Sequence, residues 1–347
     1  MNKVVVDRPG GYRRLKIREC SPPVPKGNEV LVAVCAAGVN FADVIIRMGH
    51  YRSAKTYVGW PITPGFEFSG QIVQRGVEVS DIETGAPVFG VTRFGAYASH
   101  VCVPREQVFA VPQYAALTLE DWAAFPTAFL TAYHGLFQNF VLRPKMKILI
   151  HSAAGGVGSA LLQLGKIADC EMIGVVGASH KVEVARSFGA DHVIDKSKEE
   201  LWPQAAKICP AGFDAIFDAN GPDTLKTSYQ NLAPMGKLVI YGFHGMFSKN
   251  LGVPNWFKFV RGYFRIPRWN PLAMTQANKS VIAFNLSYLF DRTDLLHHAM
   301  WDLLRWVSEG KIKAPILRRF PLEGVADAHR ALQSGQTVGK LVLQVSP

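Results

Sequence analysis

Cysteine is scarce in this chain. Of 347 residues only Cys20, Cys35, Cys102, Cys170 and Cys209 are cysteine, and none forms a C-x-x-C pair. That scatter argues against a disulfide framework and against a cysteine zinc site, and leaves the five as small apolar residues. No run of 18 or more apolar residues occurs, so no membrane-spanning helix is expected. The start, Met1-Asn2-Lys3-Val4-Val5-Val6-Asp7, lacks the long apolar region of a secretory signal, which gives a cytosolic or cytosol-facing expectation. Acidic side chains are missing from Thr224 to Phe290, a stretch that carries Lys226, Lys237, Lys249, Lys258, Arg261, Arg265, Arg268 and Lys279 and feeds a net charge of +11. An anionic cofactor accounts for part of that bias, and a membrane surface or nucleic acid for the rest. No nucleic-acid recognition motif supports the last of these.

What is present is most specific between Ile148 and Lys181. An apolar run, Ile148-Leu149-Ile150, leads into Ala153-Ala154-Gly155-Gly156-Val157-Gly158, then the helix-like Ser159–Ile167, then a second apolar run, Met172–Val176. This strand–turn–helix–strand order is the dinucleotide-binding unit. A pyrophosphate needs backbone N–H groups at a helix N-terminus, where the dipole favours negative charge. Gly155 is expected to let the main chain approach the phosphates, and Gly158 to let the helix pack on its strand. Ala153 replaces the first glycine of the usual G-x-G-x-x-G. The second strand ends in Gly177-Ala178-Ser179-His180-Lys181, with no Asp or Glu to bond the ribose diol of NAD. A hydroxyl at Ser179 and a cation at Lys181 suit the 2′-phosphate of NADP. The alternative for Lys181 is a solvated lysine in a first helical turn.

The N-terminal third reads as a compact β-rich domain, with short apolar runs at Val30–Val34, Ser69–Val73 and Val101–Val103 broken by Gly and Pro. From about Asp121, helical segments alternate with strands expected at Lys147–Ile150, Met172–Val176, His192–Ile194, Asp214–Phe217, Lys237–Tyr241 and Val281–Phe284. Six such strands predict a doubly wound parallel sheet. The expected division is 1–121 for the first domain, completed by 300–347, with 122–299 as the nucleotide-binding domain. Trp256, Phe259, Val260, Tyr263 and Phe264 share one helical face; Lys258, Arg261, Arg265 and Arg268 line much of the other, and Pro267 stops the helix. Such a helix lies on an anionic membrane, or covers a substrate cleft or a subunit interface.

Gly38-Val39-Asn40-Phe41-Ala42-Asp43, Pro64-Gly65-Phe66-Glu67, the stretch from Leu149 through the glycine turn to Gln163 and Lys166, and Gly339-Lys340 together resemble the zinc-independent quinone oxidoreductases of the medium-chain dehydrogenase/reductase superfamily. Gln276-Ala277-Asn278-Lys279 and Phe284-Asn285-Leu286-Ser287-Tyr288-Leu289 are most similar to the VAT-1-like branch. The resemblance implies an α/β protein: a GroES-like β-rich catalytic domain split around a Rossmann domain, NADPH in the cleft between them, and a homodimer paired through the sixth sheet strand. It implies no zinc, because zinc-dependent relatives carry a Cys at Asn40 or its neighbours and a His at the place of Phe66, and a phenyl ring cannot ligate.

Without a Lewis acid, the substrate carbonyl must be polarised by hydrogen-bond donors. The resemblance places Asn40 and Tyr51 there as candidate donors, with Asp43 bracing the site or a helix start. Other readings are a turn residue for Asn40 and a packed ring for Tyr51. Cofactor contacts are expected from Ala154, Gly155, Gly156, Val157 and Gly158, from Ser179 and Lys181, from Thr131 near the nicotinamide amide, and from Lys340. Asn220 and Gly242-Phe243 follow the fourth and fifth strands, at the strand ends where such sheets bind ligands. Lys196 falls where relatives often have a tyrosine against the adenine ribose phosphate. Ala128 replaces an Asn or Lys, which makes the pocket roomier and less polar. The expected activity is NADPH-dependent reduction of a quinone or an α,β-unsaturated carbonyl compound. The alternative is a nucleotide-binding regulatory protein working at a membrane surface.

Overall fold

The computed structural model describes residues 1–113, 117–247 and 256–345, without the side chains of Trp256 and Lys258. Lys249, one of the cations counted above, lies outside the described residues.

Strands β1 (Asn2–Val6) and β2 (Leu15–Glu19) form an antiparallel pair. The N-terminal domain continues with β3 (Glu29–Val39), β4 (Glu67–Arg75), β5 (Pro87–Val91), β6 (His100–Pro104) and β7 (Val108–Ala110). The second half supplies β8 (Lys147–His151), β9 (Glu171–Val176), β10 (His192–Asp195), β11 (Phe213–Asp218), β12 (Leu232–Ile240) and β13 (Ser280–Ala283). The tail adds β14 (Leu317–Pro321) and β15 (Lys340–Gln344).

Six strands make a parallel sheet in the order β10-β9-β8-β11-β12-β13. This is the doubly wound order, and its direction reverses at β8, where the crevice beyond the strand ends holds ligands. The strands read as unbroken apolar runs because helices cover both faces. Within β8 the pleat still sorts the side chains: Ile148 and Ile150 join one core with Leu161, Leu164 and Phe217, while Leu149 joins Ile173, Ile216 and Leu238 on the other face. The strand at Lys237 begins earlier than the apolar run suggests, at Leu232, because a register irregularity lets Leu232 pair with Phe213 before regular pairing resumes at Lys237.

The other large sheet runs β14-β15-β3-β4-β5-β7, with β6 also on β3. The tail therefore returns to the first sheet, β15 pairing antiparallel with β3 from Leu341↔Val39 to Gln344↔Ala36. This return carries Lys340 to the junction of the two halves.

The basic aromatic helix spans Trp256–Arg265, ending two residues before Pro267. Its aromatic face is divided between the protein and solvent. Phe259 packs on Met246, Phe247 and the His50 ring, whereas Val260, Tyr263 and Phe264 are exposed, as is Phe257 at 82%. Among the described residues, no helix is long and apolar enough to cross a membrane.

Candidate active site

The glycine turn follows β8 directly. Gly155 is the N-cap of the helix Gly156–Ile167, in extended backbone. Two more chain segments meet it. Ser152, at φ 57, donates its hydroxyl to Asn220 Oδ1 at 3.2 Å, linking the loops after β8 and β11. Asp218 at the end of β11 accepts the Asn220 N–H at 2.8 Å and the Thr224 hydroxyl at 3.0 Å, and its other oxygen takes the Ser228 hydroxyl at 2.9 Å. His151 completes that buried cluster, 3.0 Å from Ser228 Oγ. The cluster imitates a Ser-His-Asp arrangement, but all three side chains are buried and Ser228 donates to the acid, so it fixes the Asn220 loop. The second segment is the tail: Gly339 N–H bonds the Ala154 carbonyl at 2.8 Å, and Gly339 bridges Gly155. Gly339 has φ +61, and a Cβ there would lie 2.1 Å from the Ile316 carbonyl oxygen, so only glycine makes this crossing.

One residue on, Lys340 is 5% exposed. Its stem lies over Gly156 and its ammonium meets Asn40 Oδ1 at 2.7 Å and Glu67 Oε1 at 2.5 Å. Asn40 Nδ2 donates to the same Glu67 oxygen at 2.8 Å, and Glu67 Oε2 accepts the Thr127 N–H at 2.8 Å. The Lys340 ammonium is thus aimed at Asn40 and not toward the phosphate cradle. In the sequence Glu67 stands out as the end of the Pro64-Gly65-Phe66-Glu67 motif, with no role at the site. Its signal was a carboxylate between Phe66 and Phe68 at the start of a strand with a buried face.

Asp43 belongs to the support of this site. Its carboxylate accepts the N–H of Asn40 at 2.8 Å, the N–H of Gly65 at 2.8 Å and the Tyr97 hydroxyl at 3.0 Å. It therefore clasps the helix start at Asn40 to the Gly65 turn, with both of its oxygens engaged. Burial pushes its carboxyl up from 3.8 to about 7, against the lowering effect of those hydrogen bonds and of Lys340. A carboxyl raised in the folded state contributes stability that is fully present below about 3.8 and is lost as pH rises through about 7. A ¹³C-carboxyl titration, with the signal identified by Asp43→Asn, is expected to give a midpoint near 7; a midpoint below 4 contradicts it. Behind Asp43, burial and Asp43 hold the Tyr97 phenol well above its ordinary range, and burial beside Arg47 holds His329 neutral.

Tyr51 is not brought to Asn40 by any hydrogen bond. Its hydroxyl donates to Asn285 Oδ1 at 2.9 Å, and its ring packs edge-on against Phe66. Asn285 also accepts the Ser287 N–H, and Ser287 Oγ reaches Ser53 Oγ at 3.2 Å. The Phe284–Leu289 signature therefore joins the two halves over Tyr51. The Thr131 hydroxyl is engaged by the Thr127 carbonyl at 2.6 Å within the helix Pro126–Tyr133, where Ala128 is buried. Gly242 lies against Ala219, and the Phe243 ring covers Gly221.

At the end of β9, Ser179–Lys181 form a single 3₁₀ turn. The parallel register sets Asp195, the last residue of β10, beside Val176. Ser179 donates to Asp195 Oδ2 at 2.6 Å, while Oδ1 accepts the Ser197 N–H and hydroxyl at 2.9 and 2.6 Å. An acid thus stands near the second strand end after all, supplied by the neighbouring strand, with both oxygens engaged. Lys181 donates to the Gly335 carbonyl at 2.7 Å, and the Lys196 chain runs beside Gly177.

The nucleotide cradle fits a dinucleotide. It has a helix N-terminus opening on glycines, and the Asn220 amide nitrogen beside it is buried without a protein partner. An orphaned buried donor calls for an acceptor. Phe66, which the resemblance sets at a zinc-ligand position, offers no donor atom. Phe66 packs between Tyr51 and Phe94, and among the described residues no group of three or more His, Cys, Asp or Glu gathers to hold a metal ion.

Comparison with known proteins agrees with this geometry. Residues 26–113 match the alcohol dehydrogenase GroES-like domain, and residues 188–343 match the family described as zinc-binding dehydrogenase. The synaptic vesicle membrane protein VAT-1 homolog of Danio rerio is 36% identical over 97% of this chain and 69% of that protein. The crystal structure of human VAT-1 homolog-like protein has a TM-score of 0.83 at 27% identity, covering 100% of this chain and 98% of that one. The Escherichia coli quinone oxidoreductase complexed with NADPH has a TM-score of 0.85 at 26% identity over the full length of both. By sequence and by fold, the chain belongs to the VAT-1 homologue branch of the quinone-oxidoreductase-like medium-chain dehydrogenases/reductases.

Proposed function

We propose that this protein is an NADPH-dependent reductase that delivers hydride to quinones or α,β-unsaturated carbonyl compounds without zinc. The observation that carries this reading is the continuity of cofactor turn and donor group: Gly339 is bridged to Gly155, and the next residue, Lys340, holds Asn40. NADPH bound on the glycine turn supplies the hydride. As hydride adds, negative charge develops on the substrate oxygen, and Asn40 meets it with the amide N–H that Glu67 leaves unused. The buried Lys340 ammonium behind that amide adds positive potential where little solvent screens it. The accompanying proton comes from solvent through the cleft, since the Tyr51 hydroxyl is committed to Asn285. Purified protein mixed with NADPH and a panel of quinones and enones is expected to consume NADPH, followed at the reduced-nicotinamide absorbance band. Absence of turnover on every member, with NADPH binding intact, overturns the reading. Homodimerisation belongs to the same proposal. The outer edge of β13 is covered by no described strand, and light scattering after size exclusion checks it.

A second reading is favoured by one observation, the outward apolar face of the basic helix. Phe257, Val260, Tyr263 and Phe264 are exposed beside Arg261, in a segment without acids, and the relatives named above include a synaptic vesicle membrane protein. Such a surface suits peripheral binding to anionic lipid, by apolar insertion plus about 1 kcal/mol per basic residue near the headgroups. The protein is expected to float with phosphatidylserine-containing liposomes and not with phosphatidylcholine alone. The pair Phe257→Ser and Phe264→Ser, and charge reversal at Arg261 and Arg265, are each expected to abolish flotation. Unchanged flotation in both removes this helix as the contact.

A further inference from the structure

Asn40, Glu67 and Lys340 form a closed triangle: ammonium to amide oxygen, amide nitrogen to carboxylate, carboxylate to ammonium. A carboxamide has two orientations of nearly equal shape, and here only one is allowed. Turned over, Asn40 would set its NH₂ against the Lys340 ammonium and its carbonyl oxygen against the Glu67 carboxylate. Both contacts would be repulsive in a site where Glu67 is fully buried and Lys340 nearly so. The path of Lys340 is as constrained as its target. A Cβ at position 156 would come within 2.5 Å of Lys340 Cδ and 2.9 Å of Cγ, so glycine there leaves the channel through which the lysine stem passes beneath the start of the nucleotide-binding helix.

We propose that Lys340, together with Glu67, is the positioning residue for Asn40: it fixes the carboxamide with its oxygen turned to the ammonium and reserves one amide N–H for the substrate oxygen. The sequence motif groups Lys340 with the cofactor contacts, whereas its geometry assigns it to the substrate half of the site. Because β15 also seats the glycine turn, one strand sets the distance between electron donor and carbonyl-binding group. This inference rests on the reductase reading for its kinetic consequence, but not for its structural one.

Removing one charge alone would leave its buried partner unpaired and endanger folding, so the test uses the neutral pair Glu67→Gln with Lys340→Met. In ¹⁵N spectra, the Asn40 side-chain NH₂ pair, identified by its loss in Asn40→Ala, is expected to show two widely separated proton shifts. In the neutral pair those shifts are expected to collapse toward free-amide values. Kinetically, the neutral pair is expected to lose about tenfold or more in kcat, since it disorders one oxyanion donor, while the Kd for NADPH changes less than threefold. In an Asn40→Ala background the same pair is expected to add little further loss, because the effects share one group. Unchanged amide resonances overturn the proposal, as does a loss confined to NADPH affinity, which would return Lys340 to the cofactor. If the unaltered protein reduces no substrate, the reductase reading falls, and the amide spectrum still decides how Asn40 is held.

Discussion

Gly158→Ala is expected to weaken NADPH binding by about 30-fold and lower thermal stability, while Gly155→Ala changes binding less than threefold. A Cβ at position 158 would lie 2.4 Å from the Ser152 carbonyl oxygen and 2.8 Å from Ala153 Cα. These are backbone atoms of the turn itself and cannot swing aside. Overpacking of this kind costs about 1–3 kcal/mol, and about 2 kcal/mol corresponds to roughly 30-fold in a binding constant. The damage reaches the cofactor because Ser152 also holds the Asn220 loop. At Gly155, by contrast, the backbone is extended and a Cβ would meet only the Ser152 oxygen, at 3.3 Å. A fluorescence titration with NADPH and a thermal melt separate the two variants. If Gly155→Ala is the worse of the pair in binding while both remain folded, sensitivity lies in phosphate approach and not in helix–strand contact.

How far the chain could be read without its structure follows from where each signal sits. The parallel sheet was legible because six buried strands must each be an apolar run, and the glycine turn because its residues are contiguous. The return of the tail to the first sheet was visible only as short strands, and its consequence was not. Lys340 meets Asn40 and Glu67 across 300 and 273 residues, and no periodicity records such a pairing. The sequence leaves Tyr51 open as a donor at the site or as a packed ring, because its bond to Asn285, 234 residues away, is visible in neither segment. The basic helix shows its period in the sequence but not what its apolar face meets, because period says which residues share a side and not what lies against it. Asp195 shows the same limit most sharply. In the sequence it follows the third strand, 16 residues from Ser179, yet the parallel register brings the two together.

That placement bears on the largest expected change in cofactor preference. Lys181→Glu is expected to lower affinity for NADPH by about 100-fold and Lys181→Met by about tenfold, with affinity for NADH within threefold in both. An acid beside the adenine ribose usually selects NAD by bonding its diol. Asp195 is poorly suited to that, because Ser179 and Ser197 already take its two oxygens and it is nearly buried. Those same hydrogen bonds hold its carboxyl below the ordinary range, so it stays ionised at neutral pH. A 2′-phosphate approaching Ser179 must therefore be held by cations against a fixed negative charge, which makes the site more dependent on Lys181 than an acid-free turn would be. Lys181 now donates to the Gly335 carbonyl, a neutral acceptor that a phosphate oxygen displaces with a stronger, charge-assisted bond. Such bonds contribute about 1.5–3 kcal/mol each, which sets the tenfold to hundredfold scale. Parallel titrations with NADPH and NADH read the outcome. Equal loss for both cofactors would mean that Lys181 acts by drawing the Gly335 loop across the cleft, and that the 2′-phosphate is recognised elsewhere.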